Sequence, residues 1–193
     1  MSFREGKIVG SFSVNSKGGS RISVVLRYPG KGDAMACLEM VNFIRAEADF
    51  LGQRRTETIA SERKWLKQQL DGMKKKKALV VLAEADGKLI GDASISPYHY
   101  DAGPHIGTFG IMLKEEFTGI GIGTRLGKKV LELAEKETAY KIIESGYFAS
   151  NKRSAALHKK LGFKKCGFLP NGSRLKSGKF DGSVWLFKQI KKL

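Results

Sequence analysis

Three glycines at alternating positions, Gly119, Gly121 and Gly123, stand between a strand-like stretch and a helix-like one, and few folds accommodate that order. Ile106–Leu113 carries the apolar content of a strand, while Leu126, Val130, Leu133 and Ala134 recur at helical spacing. Glycines at such a junction let successive backbone N–H groups turn inward at the helix N-terminus, where the partial positive charge suits a phosphate. Two familiar phosphate loops are excluded by spacing. The segment lacks the Gly-Lys-Ser/Thr ending of a P-loop, and positions 119, 121 and 123 do not fit G-x-G-x-x-G. Standing alone, the segment would fit an unliganded turn equally well.

The flanking patterns define the fold class. Residues 8–14 and Arg21–Arg27 alternate apolar and polar residues around a Lys17-Gly18-Gly19-Ser20 turn, which reads as a hairpin. Met35, Leu38, Val41 and Ile44 then define a helix face, with Asp33 as its expected N-cap. A second helix is expected over residues 58–70, capped by Ser61 and burying Trp65, Leu66 and Leu70. Residues 79–84 and 88–95 flank Asp86-Gly87, a strong hairpin signal. After the glycines come a strand over 140–148, a short helix over 152–161 closed by Gly162, and strands over 163–169 and 183–190, the last preceded by Asp181-Gly182. Hairpins mixed with helical segments predict an α/β (α+β) chain with a mixed, mostly antiparallel central sheet flanked by helices.

Composition narrows the function. The chain has 193 residues, enough for one core, and a formal charge of +16 from 35 Lys and Arg against 19 Asp and Glu. Such a charge favours anionic company: nucleic acid, acidic protein or a multiply phosphorylated cofactor. The densest run, residues 74–77, is expected to be a solvated helix end or loop. No apolar run approaches the roughly 20 residues of a membrane span, and no secretory signal pattern is evident, so a cytoplasmic protein without membrane association is expected. Cys37 and Cys166 stand apart with no nearby histidine. No metal site or disulfide is expected, and both are read as buried small hydrophobes.

A second segment gives the glycines a context. Asn151-Lys152-Arg153-Ser154-Ala155-Ala156-Leu157-His158-Lys159-Lys160-Leu161-Gly162-Phe163 follows one strand later. Together the two resemble the acetyl-CoA motifs of the GNAT N-acetyltransferases. Gly121 and Gly123 match the first motif, Arg/Gln-x-x-G-x-G/A, and Asn151, Ala155, Leu157, Gly162 and Phe163 match the second. Ala83-Glu84-Ala85-Asp86-Gly87-Lys88 resembles a hairpin of the same family, and residues 166–182 its closing hairpin in the ribosomal-protein and amino-acid N-acetyltransferase branch. The resemblance covers residues 22–193, leaving 1–21 as an N-terminal extension with an extra strand. Two departures stand out: Thr118 occupies the place of the family's Arg or Gln, and His158 that of its Tyr general acid.

The resemblance implies a GNAT-like acyl-CoA N-acyltransferase fold and transfer of an acetyl group from acetyl-CoA, the co-substrate, to a primary amine. The acceptor would be a protein N-terminus or lysine, or a small amine such as an amino acid. It implies cofactor binding by Ile111, Met112 and Leu113 on a splayed strand and by Thr118, Gly119, Ile120, Gly121, Ile122, Gly123 and Thr124 at the helix start. Asn151, Ser154 and His158 complete that set. Leu113 N–H is the candidate oxyanion donor, His158 the candidate acid, and Glu84 the first candidate base. His99, Tyr100 and His105 could line the amine pocket. An exposed terminal strand could pair two subunits. A basic nucleic-acid-associated protein that keeps the fold without turnover is the alternative, supported by charge alone.

Overall fold

The antiparallel hairpin read near the start of the chain forms from β1 (Ile8–Asn15) and β2 (Arg21–Arg27), and it begins a single eight-stranded sheet in the order β1-β2-β3-β4-β5-β6-β8-β7. The structure is a computed structural model and describes residues 3–193. β3 (Leu79–Ala85) and β4 (Lys88–Pro97) join through Asp86 and Gly87, both at positive φ (49° and 71°), which matches the twist of a two-residue hairpin. β5 (Ile106–Leu113) leads through the glycines into α3 (Ile122–Glu137), and β6 (Ile142–Phe148) follows. Then come α4 (Lys152–Lys160), β7 (Lys164–Arg174) and β8 (Phe180–Gln189). Every neighbouring pair is antiparallel except β5 and β6, so the mixed, mostly antiparallel sheet is the one expected.

Strand alternation assigns the two faces. Leu26 of β2 sits beside Lys129 of α3 at the spot where Gly10 lies, while its neighbour Arg27 reaches the start of α1 (Ala34–Glu47). So α3 covers one face, and α1 with α2 (Ile59–Lys74) covers the other. Leu126, Val130 and Ala134 of α3 are fully buried, as their spacing predicts. Gly127 permits a close crossing, since a Cβ there would lie 2.7 Å from Leu161, which caps α4. None of the helices among the described residues is long and apolar enough to cross a membrane.

Several local expectations are corrected. The buried stripe of α1 is Ala34, Cys37, Met40, Val41 and Ile44, leaving Met35 half exposed. Periodicity fixes the repeat but not its phase, and the small Ala34 and Cys37 let the helix lie close to the sheet. Asp33 precedes α1 without a side-chain cap bond, because its carboxylate accepts both η nitrogens of Arg27 at 2.8 Å and the Gly30 N–H at 2.7 Å. Burial works against ionisation of Asp33, but these hydrogen bonds outweigh it and hold its carboxyl below the usual range. In α2 the cap is Thr58, whose hydroxyl accepts from Ser61 N, and Trp65 is only partly buried. Asp181-Gly182 lies inside β8, and the turn before it is formed around Gly178, at φ 85°. Cys37 is buried as expected, whereas Cys166 is exposed on the edge strand β7.

A carboxylate lies inside the packed layer beneath α1 and α2. Asp92 of β4 is 5% exposed, and no described residue donates a hydrogen bond to it. Burial pushes its carboxyl up to about 7, and Glu62 of α2, itself raised by burial, adds to the effect. The folded protein therefore holds a proton that the unfolded chain releases near pH 4. The resulting stability is complete below that pH and is lost as pH rises through about 7. Asp92→Asn should melt several degrees above the wild type at pH 8 and converge with it toward pH 4 in thermal scans.

Candidate active site

The cleft originates where the sheet separates. β5 pairs with β6 over three positions, Ile106, Gly107 and Thr108, and then departs, while β6 stays with β8 along its whole length. Bonds from Tyr98 N to Ile106 O (3.2 Å) and from Lys114 N to Ile90 O (2.8 Å) fix the phase of the β4–β5 ladder. By the antiparallel alternation, the main-chain groups of Thr108, Gly110 and Met112 serve β4, and those of Phe109, Ile111 and Leu113 face the gap. Phe109 O accepts the hydroxyl of Ser145 across it at 3.1 Å. Ile111 and Leu113 therefore present unpaired donors and acceptors to whatever enters, whereas Met112 contributes its side chain.

At the far end of β5, Thr118 leads into the glycines. Gly119 and Gly121 adopt φ 81° and 92°, a left-handed geometry that strains any residue with a Cβ, and Gly121 is the N-cap of α3. The first bond of that helix runs from Arg125 N to Gly121 O at 3.2 Å, so the N–H groups of Ile122, Gly123 and Thr124 project from its end. Those amides and the helix dipole form an anion cradle.

α4 approaches from the other side. The Asn151 side chain caps it by accepting Ser154 N at 2.9 Å, and Arg153 in its first turn reaches the loop, donating to Thr118 Oγ1 at 2.8 Å and pairing with Glu115. One turn on, His158 is buried at 3% exposure, ringed by Phe109, Tyr147 and Phe163 with centroids 5.2–5.9 Å away. Its Nδ1–H donates to Ser154 O at 2.8 Å, and Nε2 lies 2.9 Å from Ser145 Oγ. Burial drives the imidazole below its ordinary value, only partly offset by the Ser154 carbonyl, so the ring is neutral at pH 7.

These elements enclose a cleft of about 820 Å³ that runs from the glycines to the end of α1. Residues 23–164 match the family described as Acetyltransferase (GNAT) domain. The chain belongs to the GNAT acetyltransferase family. A 122-residue stretch is 30% identical to the SPbeta prophage-derived uncharacterized N-acetyltransferase YokL of Bacillus subtilis (strain 168), covering 62% of this chain and 65% of that protein. The chain thus spans a little under two thirds of that relative's length. The GNAT fold is shared with a ribosomal-protein-alanine N-acetyltransferase from Brucella melitensis (TM-score 0.75, 24% identity, 85% of this chain and 98% of that one). It is shared also with a putative acetyltransferase from Salmonella typhimurium solved with acetyl-CoA (TM-score 0.78, 19% identity, 88% and 95%).

Within this GNAT cleft, Ile111, Met112, Leu113, Thr118, Gly119, Gly121, Gly123, Thr124, Asn151, Ser154 and His158 come together as lining residues. Ile122 turns its side chain into the core and Ile120 packs against that core, so of Ile122 only the backbone N–H is offered. Glu84 is not brought in. Its carboxylate, on β3 two strands away from β5, accepts Arg27 Nε at 2.9 Å in an ion pair and does not line the cleft. His99, Tyr100 and Tyr98 cluster as tilted and edge-on rings outside the cleft, with His99 and Tyr100 centroids 3.9 Å apart, and His105 does not line it either.

Sequence reasoning missed Ser145, hidden in an apolar strand, although its alternation with Ile143 marks an inward position. It also missed the end of the cleft beside α1, where Glu47 and Asp49 are among the lining residues and Phe148 meets Phe50 edge-on at 6.0 Å. There Lys176 Nζ, in the β7–β8 turn, donates to the carbonyls of Arg45 and Ala46 at 2.9 Å each, and Arg54 bonds Arg174 O. No local pattern announces contacts between segments so far apart. The cap of α4 makes a direct test of the geometry. Asn151→Ala should lower stability to urea by about 1 kcal/mol, and Asn151→Asp should restore most of it.

Proposed function

We propose that this chain is an N-acetyltransferase that moves the acetyl group of acetyl-CoA directly onto a primary amine. The observation that carries the reading is the free main-chain edge of Ile111 and Leu113, set between an anion cradle and the buried Ser145–His158 pair. Amides of the Gly119–Thr124 turn suit the diphosphate of coenzyme A, and Ile111 suits an amide of its pantetheine arm. The Leu113 N–H suits the oxygen that becomes negative when the amine attacks the thioester carbon. Holding both reactants in one cleft supplies most of what such a reaction asks of its catalyst.

Proton movement is assigned to Ser145 and His158. The neutral ring keeps its proton on Nδ1 for Ser154 O, so Nε2 accepts the single Ser145 proton when that hydroxyl turns it away from Phe109 O, 3.1 Å from Oγ. As the amine nitrogen forms its bond to carbon, its proton passes to Ser145 Oγ while the Ser145 proton passes to Nε2. When the C–S bond breaks, the relay runs backward and the departing thiolate takes the proton. His158 thereby keeps the acid role while acting through Ser145, and no base is required of Glu84.

The acceptor is best described by its charge. The protein is strongly cationic, yet Glu47 and Asp49 stand at the amine end of the cleft. A cationic body steers toward acidic macromolecules, and a local pair of carboxylates draws in an ammonium group. Both suit a protein N-terminus or lysine better than a free polyamine. Acetyl-CoA as co-substrate is compatible with a cytoplasmic activity. Thiol release from acetyl-CoA should be seen with members of a panel of N-terminal peptides, lysine peptides and amino acids, and none above the hydrolysis background would overturn the reading. Ser145→Ala should lower kcat by about a hundredfold while leaving the acetyl-CoA KM within a few-fold.

A further inference from the structure

The diphosphate of coenzyme A carries about two full negative charges, and the amides at the start of α3 meet it with partial charges alone. The family pattern adds an Arg or Gln at the position of Thr118, whose short side chain cannot reach as far. Its hydroxyl proton is already engaged, donating to Glu115 O at 2.7 Å. Lys114 and Arg125, the cations flanking it in sequence, are drawn away, Lys114 over Phe43 at 5.1 Å and Arg125 over Phe12 of β1 at 4.9 Å. Glu115 also lines the cleft and would repel an incoming phosphate if left unpaired.

Resting on the acetyl-CoA reading above, we infer that Arg153 is the diphosphate-binding cation, supplied by the second motif in place of the side chain that the first motif lacks. Its guanidinium is anchored where it is needed, because Nη1 donates to Thr118 Oγ1 at 2.8 Å and pairs with Glu115 at the rim of the glycine turn. Among the described residues these contacts use Nη1 only. Nη2 and Nε remain as a fork for phosphate oxygens, the geometry in which guanidinium outperforms ammonium. Thr118 thus takes the role of positioning the arginine, accepting from it rather than donating to the ligand. The arginine side chain is 59% exposed, and an ion pair so open to water contributes little to the fold. Binding is then the property that its removal should change.

Titration calorimetry with acetyl-CoA and with dephospho-CoA tests the assignment on the full chain. Arg153→Ala should weaken both ligands by about tenfold or more, with an unchanged melting temperature. Adding Thr118→Arg to that variant should restore most of the lost affinity, since it returns a guanidinium to the same place. Equal binding by wild type and Arg153→Ala would overturn the inference. So would a loss confined to acetyl-CoA with dephospho-CoA unaffected, which would place Arg153 on the 3′-phosphate. A wild type that binds neither ligand would instead fail the cofactor reading itself and take this assignment with it.

Discussion

The separation of β5 from β6 after three parallel pairs governs the rest of the molecule. A sheet that parts in its middle exposes main-chain donors and acceptors, and burying them without partners would cost heavily. This chain answers at one point with the Ser145 hydroxyl, which reaches Phe109 O, and leaves Ile111 and Leu113 open on the cleft. The parting also sets where the helices go. α3 must cross from β5 to β6, so its N-terminus comes to the mouth of the gap, and α4, leaving β6, comes to its other side. Cradle, edge and buried histidine are therefore consequences of one topological decision.

Polar groups inside the structure divide into those that are matched and those that are not. Arg27 is satisfied by Asp33 and Glu84, joining β2, the start of α1 and β3 by three hydrogen bonds of 2.8–2.9 Å. His158 gives its Nδ1 proton to Ser154 O, which fixes its tautomer, while burial keeps the ring neutral. Among the described residues Asp92 is desolvated without a donor and raised further by Glu62, and Gln69 Oε1 is buried without a partner. A carboxylate kept protonated by its surroundings behaves as a polar but uncharged core group near neutral pH, and its cost rises with alkalinity.

Much of this was legible beforehand because it is local. β2, β5, the Asp86-Gly87 turn and the Gly162 stop depend on residues within a few positions of one another, and the structure has them where the sequence put them. The phase of α1 was not legible, since the stripes beginning at Ala34 and at Met35 share Val41 and Ile44 and only contact with the sheet chooses between them. Glu84 looked available because its strand was identified and its partner was not, Arg27 lying 57 positions away. Ser145 and Arg153 escaped for the same reason: each acquires meaning from a residue on another element, His158 for one and Thr118 for the other. Chemistry that needs two distant segments is invisible until the topology has joined them.

The two ends of the cleft are built to different mechanical standards. The cofactor end rests on helix termini, positive-φ glycines and a crossing so tight that Gly127 has no room for a methyl group. The end beside α1 is bridged by Lys176, which donates to two carbonyls at the close of α1, and by Arg54, which bonds Arg174 O. Water replaces such bonds at small net cost, so that rim can yield while the opposite wall stays put. The wall around the glycine turn is therefore the stiff one, and the rim beside α1, held by exposed side-chain bonds to carbonyls, is the one that moves more easily.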